Sequence, residues 1–244
     1  MRPLVAIIRR ELGAYFGAPL AYVFIVVFLA MAGGLTFHFG RFLSRGIADL
    51  EPFFQYHPWL YLLMMPAIGM RLWAEERKTG TIEFLMTLPL TIAQAVLGKF
   101  LAAWIFTGIT LGLTLPIWIT VNFLGDPDNG VIFASYIGSW LMAGGFLAVS
   151  ACASALTANQ VIAFVLAATL CFLMMVSGFE IVQSAFAGWA PAWVVTTVSE
   201  LSMLRNFEAI SRGVIDLRDV VYFLSLIGAG LVVNIVIIEY RKTG

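Results

Sequence analysis

The sequence predicts an all-α polytopic membrane protein with six transmembrane helices, and three observations carry that prediction. Of its 244 residues, 61% are hydrophobic and only 11% are charged, with a mean hydropathy of +0.95. Soluble domains carry roughly 25% charged and about 45–50% apolar residues, so the solvent around most of this chain is lipid. The apolar residues also gather in continuous runs, close to the roughly 20 residues a helix needs to cross a bilayer. Finally, the runs lack the alternation of a membrane barrel, so helices must satisfy the backbone inside hydrocarbon.

In order, the runs are 20–39, 56–72, 95–124, 136–156, 161–182 and 220–238, the second short and the third long. Residues 1–19 precede them as an interfacial helix. There Leu4, Val5, Ile8 and Leu12 recur at helical spacing, while Arg2, Arg9 and Glu11 take other angles. Gly17 and Pro19 then break the helix; a plain extension of the first span is the alternative. Ala30-Met31-Ala32 imitates a signal-peptidase site, but the run from Leu20 to Phe39 exceeds the about 7–15-residue core of a signal peptide. An uncleaved first span is therefore expected. Pro66 and Pro116 fall inside spans and predict kinks.

Residues 183–219 form a segment between the last two spans. Trp189, Pro191 and Trp193 suit headgroup depth, and a short helix is expected from Ser199 to Ser211, closed near Gly213. Glu200, Arg205, Glu208, Arg212, Asp216, Arg218 and Asp219 alternate in sign there, as a solvated face does. With both termini inside, nine of the 14 Lys and Arg residues fall on the cytoplasmic side, so the chain is expected N-in and C-in.

Other classes are disfavoured. Zero net charge gives no sign of nucleic-acid binding. Cys152 and Cys171 lie in apolar runs as small buried thiols, and His38 and His57 are too few and too separated for a metal cluster. An intramembrane enzyme would need paired acids or a Ser/His arrangement within the spans. The two histidines stand near the first outer loop, and Glu180, near the outer end of span five, has no evident acid partner. An acid deep in lipid would be a functional candidate, which makes Glu180 a candidate substrate or gating residue; a side chain that simply reaches water at this depth is the alternative.

Charge is concentrated between spans two and three: six of the thirteen residues from Arg71 to Glu83 are charged. Gly80 permits a turn, Thr81 to Thr87 suits a short helix, and Ile82, Leu85 and Met86 form one apolar side. Pro89 ends that helix. Thr91-Ile92-Ala93-Gln94 matches a capping box that starts the next helix. On physical grounds the apolar side suits either a lipid surface or the groove of a partner protein.

The stretch "EERKTGTIEFLMTLPLTIAQAVLGKF" closely resembles the cytoplasmic signature of permease subunits in the type-2 exporter family of ABC transporters. The match is carried by Glu75, Glu76, Gly80, Thr81, Glu83, Pro89, Gly98 and Lys99. It extends to the "RREL" start, the six spans, the "TANQ" turn and "RGVIDLRDVVYF", and is nearest the gliding-motility and copper-enzyme-maturation branches.

The resemblance implies a permease homodimer or pseudo-dimer in the bacterial inner membrane, above two ATPase subunits that bind ATP and Mg. It leaves room for a periplasmic accessory protein. Residues 75–91 would hold the coupling helix seated in the ATPase, with Glu75, Glu76, Gly80, Thr81, Ile82, Glu83, Leu85, Met86 and Pro89 as its coupling residues. Asn159 and Gln160, on the short inner turn, would give a secondary contact to the ATPase; a plain turn is the alternative. No cofactor is expected in the chain itself, because it has no G-x-x-x-x-G-K-[ST] phosphate loop. Lys99 reads as a snorkelling residue at the interface. Gly144, Ala148, Ala151 and Ala155 form a small-residue stripe on span four, suited to helix packing or a dimer seam. An ATP-driven anchor in a larger machine is the alternative to export.

Overall fold

The computed structural model describes residues 2–81, 90–187, 190–213 and 216–242. Among them every regular element is helical. The elements are α1 (Arg2–Gly17), α2 (Pro19–Gly34), α3 (Glu51–Phe54), α4 (His57–Gly69), α5 (Arg71–Thr79), α6 (Ile92–Gly112), α7 (Leu115–Leu124) and α8 (Asn129–Leu156). There follow α9 (Gln160–Val176), α10 (Glu180–Ala187), α11 (Ala192–Glu200), α12 (Met203–Ser211) and α13 (Leu217–Lys242). A wider π-helical turn, Leu35–Phe39, extends α2.

Among the described residues, four helical stretches are long and apolar enough to cross a membrane: Pro19–Ser44, Ile92–Leu124, Asn129–Leu156 and Leu217–Arg241. The expected spans at 56–72 and 161–182 appear as the shorter helices α4 and α9, of 13 and 17 residues. The long third run is broken between α6 and α7. Pro116 occupies the first turn of α7, where its missing N–H costs nothing. The Thr114 hydroxyl donates to the Leu111 carbonyl, one of those freed at the end of α6.

At the centre lies α8, in contact with α4, α5, α6, α9, α12 and α13. It is the most enclosed of the long helices, and its composition explains why. Lipid offers no hydrophobic drive for helix association, so close packing must hold the bundle, and small residues allow it. A Cβ added at Gly138 would meet the Ile210 side chain of α12 at 2.7 Å, and one at Gly144 would meet Trp104 and Ile227 at 2.8 Å. Gly144, Ala148, Ala151 and Ala155 are all buried within this one chain. The peripheral helices show the converse pattern. On α9, Ala163, Ala167, Cys171 and Met175 are buried at helical spacing, while Val161, Val165, Phe172 and Leu173 face outward.

The chain between α9 and α13 differs from expectation in its start. The short helix begins at Met203, capped by the Ser202 hydroxyl accepting from the Arg205 amide, because Ala192–Glu200 already forms α11. It closes on Gly213 in the left-handed region at φ +88°, as the sequence suggests. Met203, Phe207 and Ile210 are buried. Helix α12 is thus folded back onto the bundle, with Ser202 Oγ at its N-cap donating to the Met175 carbonyl at 3.1 Å.

Helix α4 crosses α8 most tightly at Gly69, where an added Cβ would lie 2.3 Å from the Ser150 Cβ and 3.3 Å from its backbone carbon. Backbone cannot yield as a flexible side-chain end can. Gly69→Ala is therefore expected to destabilise the protein by about 1–3 kcal/mol, the usual range for overpacking. Gly33→Ala, inside α2 where a Cβ meets nothing within 4 Å, should hold or raise the thermal midpoint in detergent; equal midpoints for both variants would refute the tight crossing.

Candidate functional site: the charged end of the bundle

One end of the bundle gathers α1, α5, the start of α6 and the end of α8. Helices α4 and α5 meet at Met70, and the join is made by a side chain from another helix. The Ser154 hydroxyl of α8 donates to the Met70 carbonyl at 2.7 Å and accepts from the Trp73 and Ala74 amides at 3.1 and 3.0 Å. Three backbone groups at the junction are satisfied by one residue, so α5 is pinned to α8 where the apolar helix gives way to the charged one.

Further along α5, Glu76 reaches Lys99 of α6. Lys99 Nζ lies 2.7 Å from Glu76 Oε1 and 3.4 Å from Glu11 Oε1 of α1, and 5.5 Å from the centre of the Trp73 ring. The Lys99 side chain is only 5% exposed, and the two carboxylates 17% and 15%. This overturns the snorkelling reading. The Lys99 ammonium does not climb to the interface, because two carboxylates and an aromatic face meet it inside the protein.

The same contact corrects the face assigned to α1. Its buried side carries Ile7, which fits against Gly98, where an added Cβ would meet Ile7 Cγ2 at 2.6 Å. Tyr15 stacks on Phe106 of α6 at 5.2 Å. Val5, expected on the apolar side, is exposed. Helix α1 therefore packs on α6 as part of the bundle.

Arg71 and Glu75 pair one turn apart on α5, with Nε donating to Oε2 at 2.8 Å and Nη2 to Oε1 at 3.1 Å. That bidentate bond holds the Glu75 carboxyl below its ordinary range. The pair is partly exposed, so it stabilises only weakly; its contribution is present above the ordinary carboxylate pKa and fades as pH falls through the lowered one. On the far side of α5, burial and the nearby Arg241 of α13 lower the pKa of Arg77.

Helix α5 ends on Gly80, in the left-handed region at φ +73°, and the Thr79 and Thr81 hydroxyls bond at 2.9 Å. The chain re-enters at Thr91. Thr91 Oγ1 accepts from the Gln94 amide and Gln94 Oε1 accepts from the Thr91 amide, both at 3.2 Å, forming the anticipated capping box. Ile82, Glu83, Leu85, Met86 and Pro89 lie outside the described residues.

The remaining sequence-derived candidates are placed elsewhere. Asn159 is the N-cap of α9, its Oδ1 accepting from the Val161 and Ile162 amides, and Gln160 is the first helical residue. Glu180 stands exposed at the start of α10. One constellation was not legible beforehand. Ser139 Oγ lies 2.8 Å from both His57 Nδ1 and the Tyr61 hydroxyl. All three residues are buried, and Phe28, Phe53 and Phe54 pack around the imidazole. Ser and His thus meet in a fully buried position that ties α4 to α8.

No curated protein matches the chain. The family model for the ABC-2 family transporter protein matches residues 20–236, all of the bundle from α2 through most of α13. The chain is a membrane protein that belongs to the ABC-2 transporter family, the membrane component of an ABC transporter.

Proposed function

We propose that the chain is a permease subunit whose spans are moved by a separate ATPase acting on residues 75–91. The observation that carries this reading is the Glu11–Lys99–Glu76 cluster. It joins the helix entering that segment, the helix leaving it and the N-terminal helix through one buried cation. A push on α5 is then transmitted to α1 and α6 through charge contacts, and to α8 through Ser154. Glu75, Glu76, Gly80 and Thr81 form the described part of the coupling segment; Ile82, Glu83, Leu85, Met86 and Pro89 complete it.

In this reading α4 and α9 are the second and fifth of six spans. The termini are cytoplasmic, the membrane is the bacterial inner membrane, and ATP and Mg are bound by two partner ATPase copies. The permease works as a homodimer or pseudo-dimer, performs no catalysis of its own, and drives export or mechanical work across the membrane. Asn159 and Gln160 give a second contact to the ATPase at the same end. Glu180 serves the substrate path or gate.

Two experiments test the transmission path. Lys99→Ala leaves Glu76 without a cation and Glu11 with Arg10 alone, and should cost about 3–5 kcal/mol of stability, the usual penalty for breaking a buried pair. The neutral triple variant Lys99→Met, Glu11→Gln, Glu76→Gln should recover the fold and still bind the ATPase. Its permease-stimulated ATP hydrolysis is nonetheless expected to fall at least tenfold. Undiminished stimulation in that folded triple variant would remove the cluster from the path.

Leu85→Asp and Glu83→Ala are expected to reduce co-purification of the ATPase, or its stimulation, while leaving the permease's thermal midpoint in place. Wild-type assembly and wild-type stimulation in both variants would dismiss residues 75–91 as the docking element.

A further inference from the structure

The opposite end of the bundle holds a cleft of about 590 Å³, formed where the chain before α4, the start of α8 and α12 converge. Ligand pockets typically span roughly 300–1,000 Å³. Its floor is cut into the core: Leu50, Phe54, Ile132 and Phe207 line it and are themselves buried. Its rim is acidic: among the described residues Asp49, Glu51, Asp128 and Glu208 stand against one lining cation, Arg212.

The state of each rim charge matters. Asp49 and Glu51 share one guanidinium, Arg45, at 3.3 and 3.0 Å. Asp128 uses one oxygen, Oδ1, to cap α8, accepting from the Gly130 and Val131 amides at 2.9 and 3.2 Å. Glu208 has no ion pair among the described residues. Four carboxylates thus face two guanidinium groups, which leaves an excess of two negative charges above an apolar, partly aromatic floor. A neutral apolar ligand would gain nothing from that rim, and an anion would be repelled by it. A cation with an apolar body satisfies both parts, because low-dielectric walls focus the rim's field on the cavity and aromatic rings accept a cation at their faces.

We propose that this cleft is a binding site for a small amphipathic cation, an ammonium group carried on an apolar or aromatic body. The site is independent of the coupling reading, since it lies at the other end of the bundle and its occupancy can be read without an ATPase.

The test uses the full chain in phosphatidylcholine nanodiscs and three probes of similar size: benzyltrimethylammonium, benzyl alcohol and benzenesulfonate. Calorimetric titration should show binding of the cation at least tenfold tighter than of the neutral or anionic probe, weakening as salt is raised. The double variant Glu51→Gln, Glu208→Gln should loosen the cation at least fivefold, and Arg212→Gln should tighten it, both with unchanged thermal midpoints. Equal affinity for the three probes, or indifference of the cation to both variants, would overturn the proposal. So would binding of an oligolysine peptide without binding of benzyltrimethylammonium, which would assign the rim to a protein partner.

Discussion

Close approach to α8 is the constraint on which the bundle depends. Lipid chains solvate a Leu side chain as well as another helix does, so helices associate through packing and hydrogen bonds. Helix α8 supplies both from one set of residues. Gly138 and Gly144 let Ile210 and Trp104 reach its backbone, and its serines place hydroxyls where small size has already brought a neighbour near. Ser139 binds His57 and Tyr61, and Ser154 binds the α4–α5 junction. A larger residue at either position would forfeit the bond and the approach together. Peripheral helices need no such economy of size, which is why α9 and α13 leave large apolar side chains facing outward.

The charged end follows from the same geometry. Once Ser154 has closed the junction at Met70, α5 must leave α8 at a fixed angle, and that angle carries Glu76 over the start of α6. There it meets Lys99, with Glu11 arriving from α1. A lone lysine in so enclosed a position would be costly, because desolvation of an unpaired charge outweighs any local gain. Two carboxylates and the Trp73 face offset that cost. They also bind three helices, widely separated along the chain, to one atom. Of the features at this end, the cluster is the least tolerant of independent motion, since displacing any one helix exposes the remaining charges to a poorer environment.

How much of this was legible in the sequence depends on the range of the interaction. Local rules read well: the capping box of Thr91 and Gln94, the left-handed Gly80 and the closing Gly213 are set by residues within a turn of one another. Apolar runs located the long helices for the same reason, because composition and length suffice. Partners brought together by folding did not announce themselves. Lys99 read as a snorkelling residue since Glu11 belongs to another helix, and His57 read as isolated since Ser139 looks like one serine among several. On α1, periodicity showed amphipathicity but not which apolar side packs, and the match of Ile7 to Gly98 decided it. Ser199 and Ser202 are both acceptable caps. The choice between them fell to the preceding helix α11, which runs through Ser199 and ends at Glu200.

The two ends of the molecule are chemically unlike, and α8 connects them. At 28 residues it extends about 42 Å at 1.5 Å per residue, enough to reach from the Ser154 junction to the Asp128 cap beside the acidic cleft. Along that length its neighbours fit too closely for gradual deformation. Packed interiors shift between discrete arrangements and do not bend continuously. A displacement of α5 that keeps the Ser154 bonds must therefore carry α8 as a unit, and with it the wall that α8 contributes to the cleft through Val131 and Ile132. A displacement that breaks those bonds would instead strand three backbone groups in an apolar setting. The cheaper course is rigid motion, and it gives the small-residue helix a mechanical role beyond packing: it is the element through which the charged end and the cleft can sense one another.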